Sequence, residues 1–264
     1  MVMTLGMLPV DDGELAYEIS GEGSPIVLLH GGFLTGDTWD AQVALLERSH
    51  TAIRYDARGH GRSSTPTKPF SHHEDLRQLL AGLDIPRASL VGLSQGARTS
   101  IDFAIAHPEL VDRLVLVAPG ISGMTFHDPF VLEQLAKLGA VTDIAQAVEC
   151  VLRMWVDGPH RAPEAVDPEV RELCRGLMTD NALRHGATSQ RFVTELGAID
   201  RLAELRAPTL VLVGDLDSSD IHGVVDLVAA ESPKVRKLVV PGAAHMVNLD
   251  HPETFDREMS AFLS

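Results

Sequence analysis

The fold of this chain is decided by the stretch Ala88–Arg98, whose sequence is ASLVGLSQGAR. Its beginning, Ala88–Val91, is a short apolar run of the kind that forms a buried strand. The residues Ala97–His107 are compatible with a helix, which Pro108 would end. The stretch therefore predicts a strand, a tight turn and a helix in direct succession.

A serine stands at the apex of that predicted turn. So sharp a turn places Ser94 at a positive φ, and the crowding is relieved only if the residues two before and two after it lack a side chain. Gly92 and Gly96 occupy those two positions. The geometry would raise the Ser94 hydroxyl clear of the sheet and aim the backbone amide of Gln95 at a developing anion.

Length and composition indicate one α/β domain with an insertion. The chain has 264 residues and is 45% hydrophobic, and 22 basic against 37 acidic residues give a net charge of −15. This charge argues against nucleic-acid or membrane partners. The sequence lacks a long apolar run and the features of a signal peptide, so we expect a cytoplasmic protein.

The residue types that usually bind metals are not arranged for metal binding here. Cys150 and Cys174 lack metal-ligand spacing, and we expect them to be buried free thiols. His72 and His73 would point apart on a helix, with no third ligand nearby. We therefore expect neither a metal nor a cofactor.

Seven apolar or alternating runs predict strands, and four further segments predict helices. The strands are Leu15–Ser20, Pro25–Leu29, Thr51–Tyr55, Ala88–Val91, Leu114–Val117, Thr209–Val213 and Arg236–Val240; the helices are Trp39–Arg48, Glu74–Leu83, Ala97–His107 and Val224–Ala230. Leu15–Ser20 alternates like an outer antiparallel strand, whereas Pro25–Leu29 is continuous like a central one. Such alternation of strands and helices predicts a doubly wound, mostly parallel sheet.

One long segment interrupts this alternation. Between Pro119 and Pro208 there are amphipathic stretches broken by glycine and proline, at Val131–Leu138, Asp143–Val156 and Pro168–Met178. An insertion of this size and helical character is typical of a lid. We therefore expect a core of residues 1–119 and 207–264, and a helical lid of residues 120–206.

Residues with the chemistry of acyl transfer follow four of the predicted strands. They are His30-Gly31-Gly32-Phe33, Ser94, Gly214-Asp215-Leu216-Asp217 and Gly242-Ala243-Ala244-His245. Ligands of open α/β sheets bind at the carboxyl ends of the strands, where these residues would meet. A serine hydroxyl needs a neutral imidazole to take its proton, and the imidazole needs a carboxylate to orient it.

Several motifs in this order resemble the α/β-hydrolase fold family over essentially the whole chain, lid included. They are Gly92-Leu93-Ser94-Gln95-Gly96, His30-Gly31-Gly32, the run Tyr55-Asp56-Ala57-Arg58-Gly59-His60-Gly61-Arg62-Ser63, the Gly214-x-x-Asp217 turn, and Gly242-x-x-His245 followed by Pro252-Glu253. The resemblance implies that Ser94 is the nucleophile, His245 the base and Asp217 the acid. It also implies that the backbone amides of Gly32 and Gln95 form the oxyanion hole.

Three aspartates follow the strand Thr209–Val213, and one of them should orient His245. Asp215 comes before the chain has cleared the strand end, and Asp220 begins the next helix, where an aspartate serves as a cap. Asp217 lies in the loop between them and matches the family pattern. Asp217 is therefore the predicted acid.

Other polar residues near the predicted site are expected to support it without taking part in the reaction. His30 would buttress the oxyanion loop, and Asp56, Arg58 and His60 would hold backbone turns together. Two residues depart from the common family pattern: Leu93 stands where many members carry His or Tyr, and Gln95 where many carry Met or Leu.

Several apolar residues are candidate substrate contacts. Phe33 follows the two glycines and could line an acyl pocket. In the predicted lid, the candidates are Phe126, Phe130, Met154 and Trp155. Such residues are by default the apolar faces of helices, but a lid above Ser94 would bring some of them to the substrate.

The resemblance implies a serine hydrolase similar to small bacterial esterases and enol-lactonases. Its partner would be a small-molecule ester or lactone, cleaved through an acyl-enzyme. Two alternatives stay open: hydrolysis of a carbon–carbon bond in a diketone with the same triad, and a ligand sensor without turnover. The sequence leaves the substrate and the oligomeric state undetermined.

Overall fold

The computed structural model describes residues 3–186 and 189–264. Eight strands form a single sheet in the order β1-β2-β4-β3-β5-β6-β7-β8. Their bounds are β1 Thr4–Val10, β2 Gly13–Ser20, β3 Ser24–Leu29, β4 His50–Tyr55, β5 Ala88–Leu93, β6 Val111–Val117, β7 Thr209–Gly214 and β8 Val235–Val240. β2 is antiparallel to β1 and β4, and the pairs from β4 to β8 are parallel. The predicted mostly parallel sheet is thus confirmed.

Nine helices of the described chain accompany this sheet. They are α1 Asp40–Leu46, α2 His72–Gly82, α3 Gln95–Ala106, α4 Pro129–Ala140, α5 Ile144–Leu152, α6 Pro168–His185, α7 Ser219–Glu231, α8 Val247–Asp250 and α9 Pro252–Leu263. All four predicted helices outside the insertion are present. The first begins as a 3₁₀ turn, Gly36–Trp39, before α1.

The edge of the sheet differs from the sequence prediction. Leu15–Ser20 was expected to be an outer strand, but β1 pairs along its free side and is the true edge. β1 was not predicted because it contains Gly6 and Pro9, both of which are unfavourable in strands. An edge strand tolerates a proline, because one side of it needs no hydrogen-bond donors.

The segment between β6 and β7 is helical. It contains α4, α5 and α6, and α5 continues into a π-helical turn at Arg153–Asp157. In the described part of this segment the only ladder contact is an isolated bridge between Val193 and Phe70. The three predicted amphipathic stretches therefore coincide with helices.

The strand order positions the site. From β3 the chain moves to β4 on one side and then to β5 on the other, so the crevice above β3 and β5 is a topological switch point. Val27 and Leu90, which pair across these two strands, are fully buried. The loops after β3 and β5 therefore project from a rigid, two-sided core.

Two further expectations concern membranes and thiols. No helix among the described residues is long and apolar enough to cross a membrane. Cys150 and Cys174 are buried free thiols, as predicted. Burial raises the pKa of Cys174 to about 12, so this thiol stays protonated near neutral pH.

Candidate active site

Ser94 lies in a strained turn between β5 and α3. Its φ is 52° and its ψ is −107°, a conformation that a residue other than glycine adopts only at a cost. A Cβ at Gly92 would lie 2.5 Å from the carbonyl carbon of Gly96, and a Cβ at Gly96 would lie 2.1 Å from the Leu29 oxygen. The predicted need for two glycines is therefore a matter of close backbone contact on both sides of Ser94.

His245 and Asp217 form a buried hydrogen-bonded pair. The Nδ1–H of His245 donates to Oδ2 of Asp217 across 2.8 Å, and both side chains are 1% exposed. The other carboxylate oxygen of Asp217 accepts from the Ser218 amide at 2.7 Å. His245 Nε2 is buried and has no hydrogen-bond partner among the described residues. A buried ring nitrogen without a partner is unfavourable, and its lone pair is free to accept a proton.

The neighbouring aspartates make other contacts. Asp215 accepts a hydrogen bond from the Gly242 amide at 2.7 Å and so ties together the loops after β7 and β8. Asp220 was expected to cap α7, but its carboxylate accepts instead from the amides of His127 and Asp128, at 3.0 and 2.9 Å. It therefore attaches the segment before α4 to the core, while Ser218 takes the N-cap position.

The amides of Gly32 and Gln95 have no acceptor in the part of the chain that the structure describes. Both residues line the same cavity as Ser94 and His245. Because Gln95 opens α3, its amide also benefits from the positive end of the helix dipole. Two free donors beside a serine hydroxyl are the arrangement that stabilises a tetrahedral oxyanion.

Two buried histidines support the loop that carries Gly32. His30 Nε2 accepts from the Ala57 amide at 2.9 Å, and its Nδ1–H donates to the Gly31 oxygen at 2.7 Å. His60 Nε2 accepts from the Phe33 amide at 3.3 Å. The side chains therefore hold the backbone, as the sequence predicted for both residues.

The buried histidines should make the protein sensitive to acid. Burial lowers the pKa of His30 and His72, and that of His60 to about 3. Below about pH 6.5 an unfolded histidine binds a proton that the folded one excludes, so stability falls as pH drops from about 6.5 toward about 3.

We expect His60→Gln to remove one such group while keeping an acceptor for the Phe33 amide. The slope of the unfolding free energy against pH should then decrease by about 1.4 kcal/mol per pH unit between pH 6 and 4. Urea unfolding at a series of pH values measures it, with the exposed His160→Gln as control. An unchanged slope in His60→Gln would contradict the assignment.

The cavity above Ser94 has a volume of about 460 Å³. Of the predicted substrate contacts, Phe33, Phe126, Met154 and Trp155 line it. Phe130 does not: its ring lies 5.2 Å from the guanidinium carbon of Arg153, away from the cavity. That residue is therefore removed from the candidate contacts, because it lies on a face of α4 that packs against a polar partner.

Trp155 lies directly against the imidazole of His245. The ring centroids are 4.7 Å apart at an angle of 39°, and Phe126 packs on the indole at 5.7 Å. Trp155 belongs to the π-helical turn after α5, a type of turn found frequently at functional sites. The insertion therefore supplies the wall beside His245.

The structure also brings in residues that the sequence did not single out. Arg98 and Glu195 line the cavity and form an ion pair at 2.6 Å. Asn181 of α6 donates to the Phe33 oxygen at 2.7 Å and accepts from the Gly61 amide at 2.6 Å. Arg98 could have been found from the sequence, because it lies one helical turn after Ser94 and so on the same side of the helix. Nothing in the sequence points to Asn181. Within the described ranges, no cluster of residues could hold a metal ion.

A family model described as alpha/beta hydrolase fold matches residues 24–252. The chain belongs to the alpha/beta hydrolase fold family. The matched region includes the turn at Ser94, the pair formed by Asp217 and His245, and the helical insertion between β6 and β7.

Three relatives illustrate the range of this family. The pimeloyl-[acyl-carrier protein] methyl ester esterase of Edwardsiella ictaluri is 30% identical over 94% of this chain and 96% of its own length. The 3-oxoadipate enol-lactonase 2 of Acinetobacter baylyi is 26% identical over 97% and 95%. The crystal structure of a hydrolase from Pseudomonas aeruginosa superposes with a TM-score of 0.84 at 30% identity, covering 98% of each chain.

Another match covers only part of each protein. An uncharacterized protein of Mycobacterium tuberculosis is 38% identical over 138 residues, which is 51% of this chain and 40% of the relative. The chain therefore aligns with less than half the length of this relative.

Proposed function

We propose that this chain is a serine hydrolase that cleaves a carboxylic ester or lactone of a small molecule through an acyl-enzyme. The observation that carries the proposal is the buried His245, which is bonded to Asp217 through Nδ1 and has an unpartnered Nε2. It lines the same cavity as Ser94 and the free amides of Gly32 and Gln95. These are the parts that acyl transfer requires.

In the proposed mechanism Ser94 Oγ attacks the carbonyl carbon while His245 Nε2 takes its proton. The carbonyl oxygen becomes an oxyanion, which the amides of Gly32 and Gln95 stabilise. When this intermediate collapses, the bond to the leaving oxygen breaks and His245 returns the proton to the alkoxide. Water then attacks the acyl group on Ser94 by the same steps, with His245 again as base. Asp217 stabilises the imidazolium in each half of the reaction.

A fluorophosphonate probe tests the proposal directly. The probe forms a covalent bond only with a serine activated as a nucleophile, so we expect one modified peptide, containing Ser94. Labelling should be absent in Ser94→Ala. Modification of a different serine, or no modification of folded protein, would refute the proposed nucleophile.

The relatives support hydrolysis without choosing the bond. One is named an ester esterase and another an enol-lactonase, which favours an ester or lactone for this chain. The same side chains could cleave a carbon–carbon bond of a diketone, and assays with matched esters, lactones and diketones separate the two reactions. Negligible turnover of every class would instead favour a ligand sensor.

We further propose that residues 120–206 form a lid over the core of residues 1–119 and 207–264. Both ends of this segment meet at Asp102 of α3: Ser122 Oγ donates to its carboxylate at 2.5 Å, and the Leu196 amide does so at 3.4 Å. Between these ends it contacts the core at several points, for example through Arg161, which donates to Asp250 at 2.9 Å, and through Asn181, which donates to the Phe33 oxygen at 2.7 Å. An insertion whose two ends are anchored close together on one helix can move as a unit relative to the sheet.

If this segment lines the acyl pocket, shortening its side chains should change the preferred acyl length. We expect Phe126→Ala, Met154→Ala and Trp155→Ala to raise the relative kcat/KM for longer acyl esters by about tenfold, because each enlarges the cavity. A series of esters from two to ten acyl carbons measures the profile. Phe130→Ala is the matched control and should keep the profile of the unmodified protein. The proposed lining would be contradicted if all four variants kept that profile.

A further inference from the structure

The wall of the cavity contains one ion pair in a largely apolar surface. Most of the described lining residues are apolar or glycine, for example Ile121, Met124 and Leu135, and Arg98 is the only lysine or arginine among them. A guanidinium placed against apolar side chains loses hydration, so it needs an anionic partner. Glu195 is that partner in this structure.

The position of Arg98 is fixed by its helix. Its amide donates to the Ser94 oxygen at 2.9 Å, so the two residues lie one turn apart on the same face of α3. Ala97, Thr99 and Ser100 face the core and are buried, whereas Arg98 is only half-buried and faces the cavity. The guanidinium and the serine hydroxyl therefore line the same cavity.

The guanidinium is only partly used by the protein. The sole hydrogen bond that it donates within the described chain runs from Nη1 to Glu195 Oε1, at 2.6 Å. Since a guanidinium carries five N–H groups in a planar fork, most of them remain free for a second acceptor. By contrast, Arg58 donates from two of its nitrogens to both carboxylate oxygens of Asp75, in a pair whose side chains are 2% and 3% exposed. Arg58 thus has the bonding of a structural arginine, and Arg98 does not.

Glu195 is held less firmly than Arg98. It lies in a stretch without helix or strand, and its side chain is 36% exposed. Among the described residues, its second carboxylate oxygen accepts only from the Gly123 amide, at 3.1 Å. A partly exposed single-point ion pair contributes little net stability, so exchanging this carboxylate for another costs little.

We propose that Arg98 is an anion-binding residue of the site, and that the substrate is an ester or lactone whose acyl part carries a carboxylate. In this structure Glu195 pairs with the guanidinium. The substrate carboxylate displaces Glu195 and accepts from two N–H donors in place of one. The kinetic consequences of this inference rest on the proposed hydrolase function. Its consequences for binding rest on the cavity alone.

The kinetic test uses esters that differ only in the terminal group of the acyl chain. Monomethyl adipate carries a carboxylate where methyl hexanoate carries a methyl group. We expect Arg98→Gln to lower kcat/KM for the anionic ester, relative to the neutral one, by roughly 10- to 100-fold, because a charge-assisted contact is lost. Glu195→Gln should raise the same ratio about two- to fivefold, since the competing carboxylate is removed.

A matched control separates this effect from a general change in charge. Arg87→Gln removes the same charge from an exposed arginine that pairs with Asp112 at 2.7 Å, beside the amino end of β5. It should leave the ratio between the two esters unchanged. If the ratio in Arg98→Gln equals that in Arg87→Gln, the inference is wrong even though esters are hydrolysed.

Binding distinguishes failure of the inference from failure of the proposed function. In Ser94→Ala, calorimetry measures the affinity for monomethyl adipate without turnover. We expect the added Arg98→Gln substitution to weaken this affinity at least about tenfold and the added Glu195→Gln to strengthen it. If no ester is hydrolysed but binding follows this pattern, the function fails and the anion site stands. Equal affinity in all three proteins, or no detectable binding in any of them, overturns the anion site.

Discussion

Replacing Ser94 by alanine is expected to lower kcat by about 10³-fold or more while leaving the protein folded. The loss is large because the reaction then has no nucleophile, although the amides of Gly32 and Gln95 still bind a developing oxyanion. Hydrolysis of a p-nitrophenyl ester by the variant measures the loss, and thermal unfolding shows whether the fold is kept. Because alanine must adopt the same strained φ of 52°, we expect little change in stability.

A neighbouring serine gives the control for this experiment. Ser100 lies in α3, the helix that follows Ser94; it is fully buried and donates to the Gly96 oxygen at 2.8 Å. Ser100→Ala should therefore keep the catalytic rate within a small factor. The nucleophile would be misassigned if Ser94→Ala retained most of the activity of the unmodified protein.

The second large effect is expected from the carboxylate that orients His245. Asp217→Asn keeps the size of the side chain but replaces the acceptor of the Nδ1–H, so the imidazole can turn to the unproductive tautomer. We expect kcat to fall roughly 10⁴-fold with little change in substrate binding. Steady-state kinetics on one ester, with KM and kcat determined separately, measures this.

Asp215→Asn and Asp220→Asn are the matched controls, and the structure predicts what each would lose. Asp215 accepts from Gly242, and Asp220 accepts from two amides before α4. Each substitution should therefore lower the free energy of unfolding by about 1 kcal/mol. Their kcat values should stay near that of the unmodified protein. If either control abolished turnover in a folded protein while Asp217→Asn remained active, the acid would have to be reassigned.

The strands of the parallel part of the sheet could be predicted because their signals are local. Continuous apolar runs such as Pro25–Leu29 are required wherever helices cover both faces of a strand. The turn at Ser94 was predictable for the same reason, since its two glycines are demanded by contacts within a few residues. β1 was missed because its pairing with β2 outweighs the poor strand propensity of Gly6 and Pro9.

The lining of the cavity could be predicted only in part, because it depends on how the helices of the insertion are rotated. Phe130 and Leu135 belong to the same helix, yet only Leu135 faces the cavity. A periodic sequence shows that α4 has an apolar face, but it does not tell which partner that face meets. The pairing of Arg98 with Glu195 was hidden for a different reason, since 97 positions separate the two residues.

The contact between Trp155 and His245 also gives the cavity an intrinsic fluorescence reporter. The chain has two tryptophans, and the other, Trp39, is fully buried against Phe255 at a ring distance of 6.0 Å. In a Trp39→Phe background the indole fluorescence would come from the wall of the cavity alone. Displacement of the insertion or entry of a ligand would then change the emission of a chromophore that touches the proposed base, without any attached label.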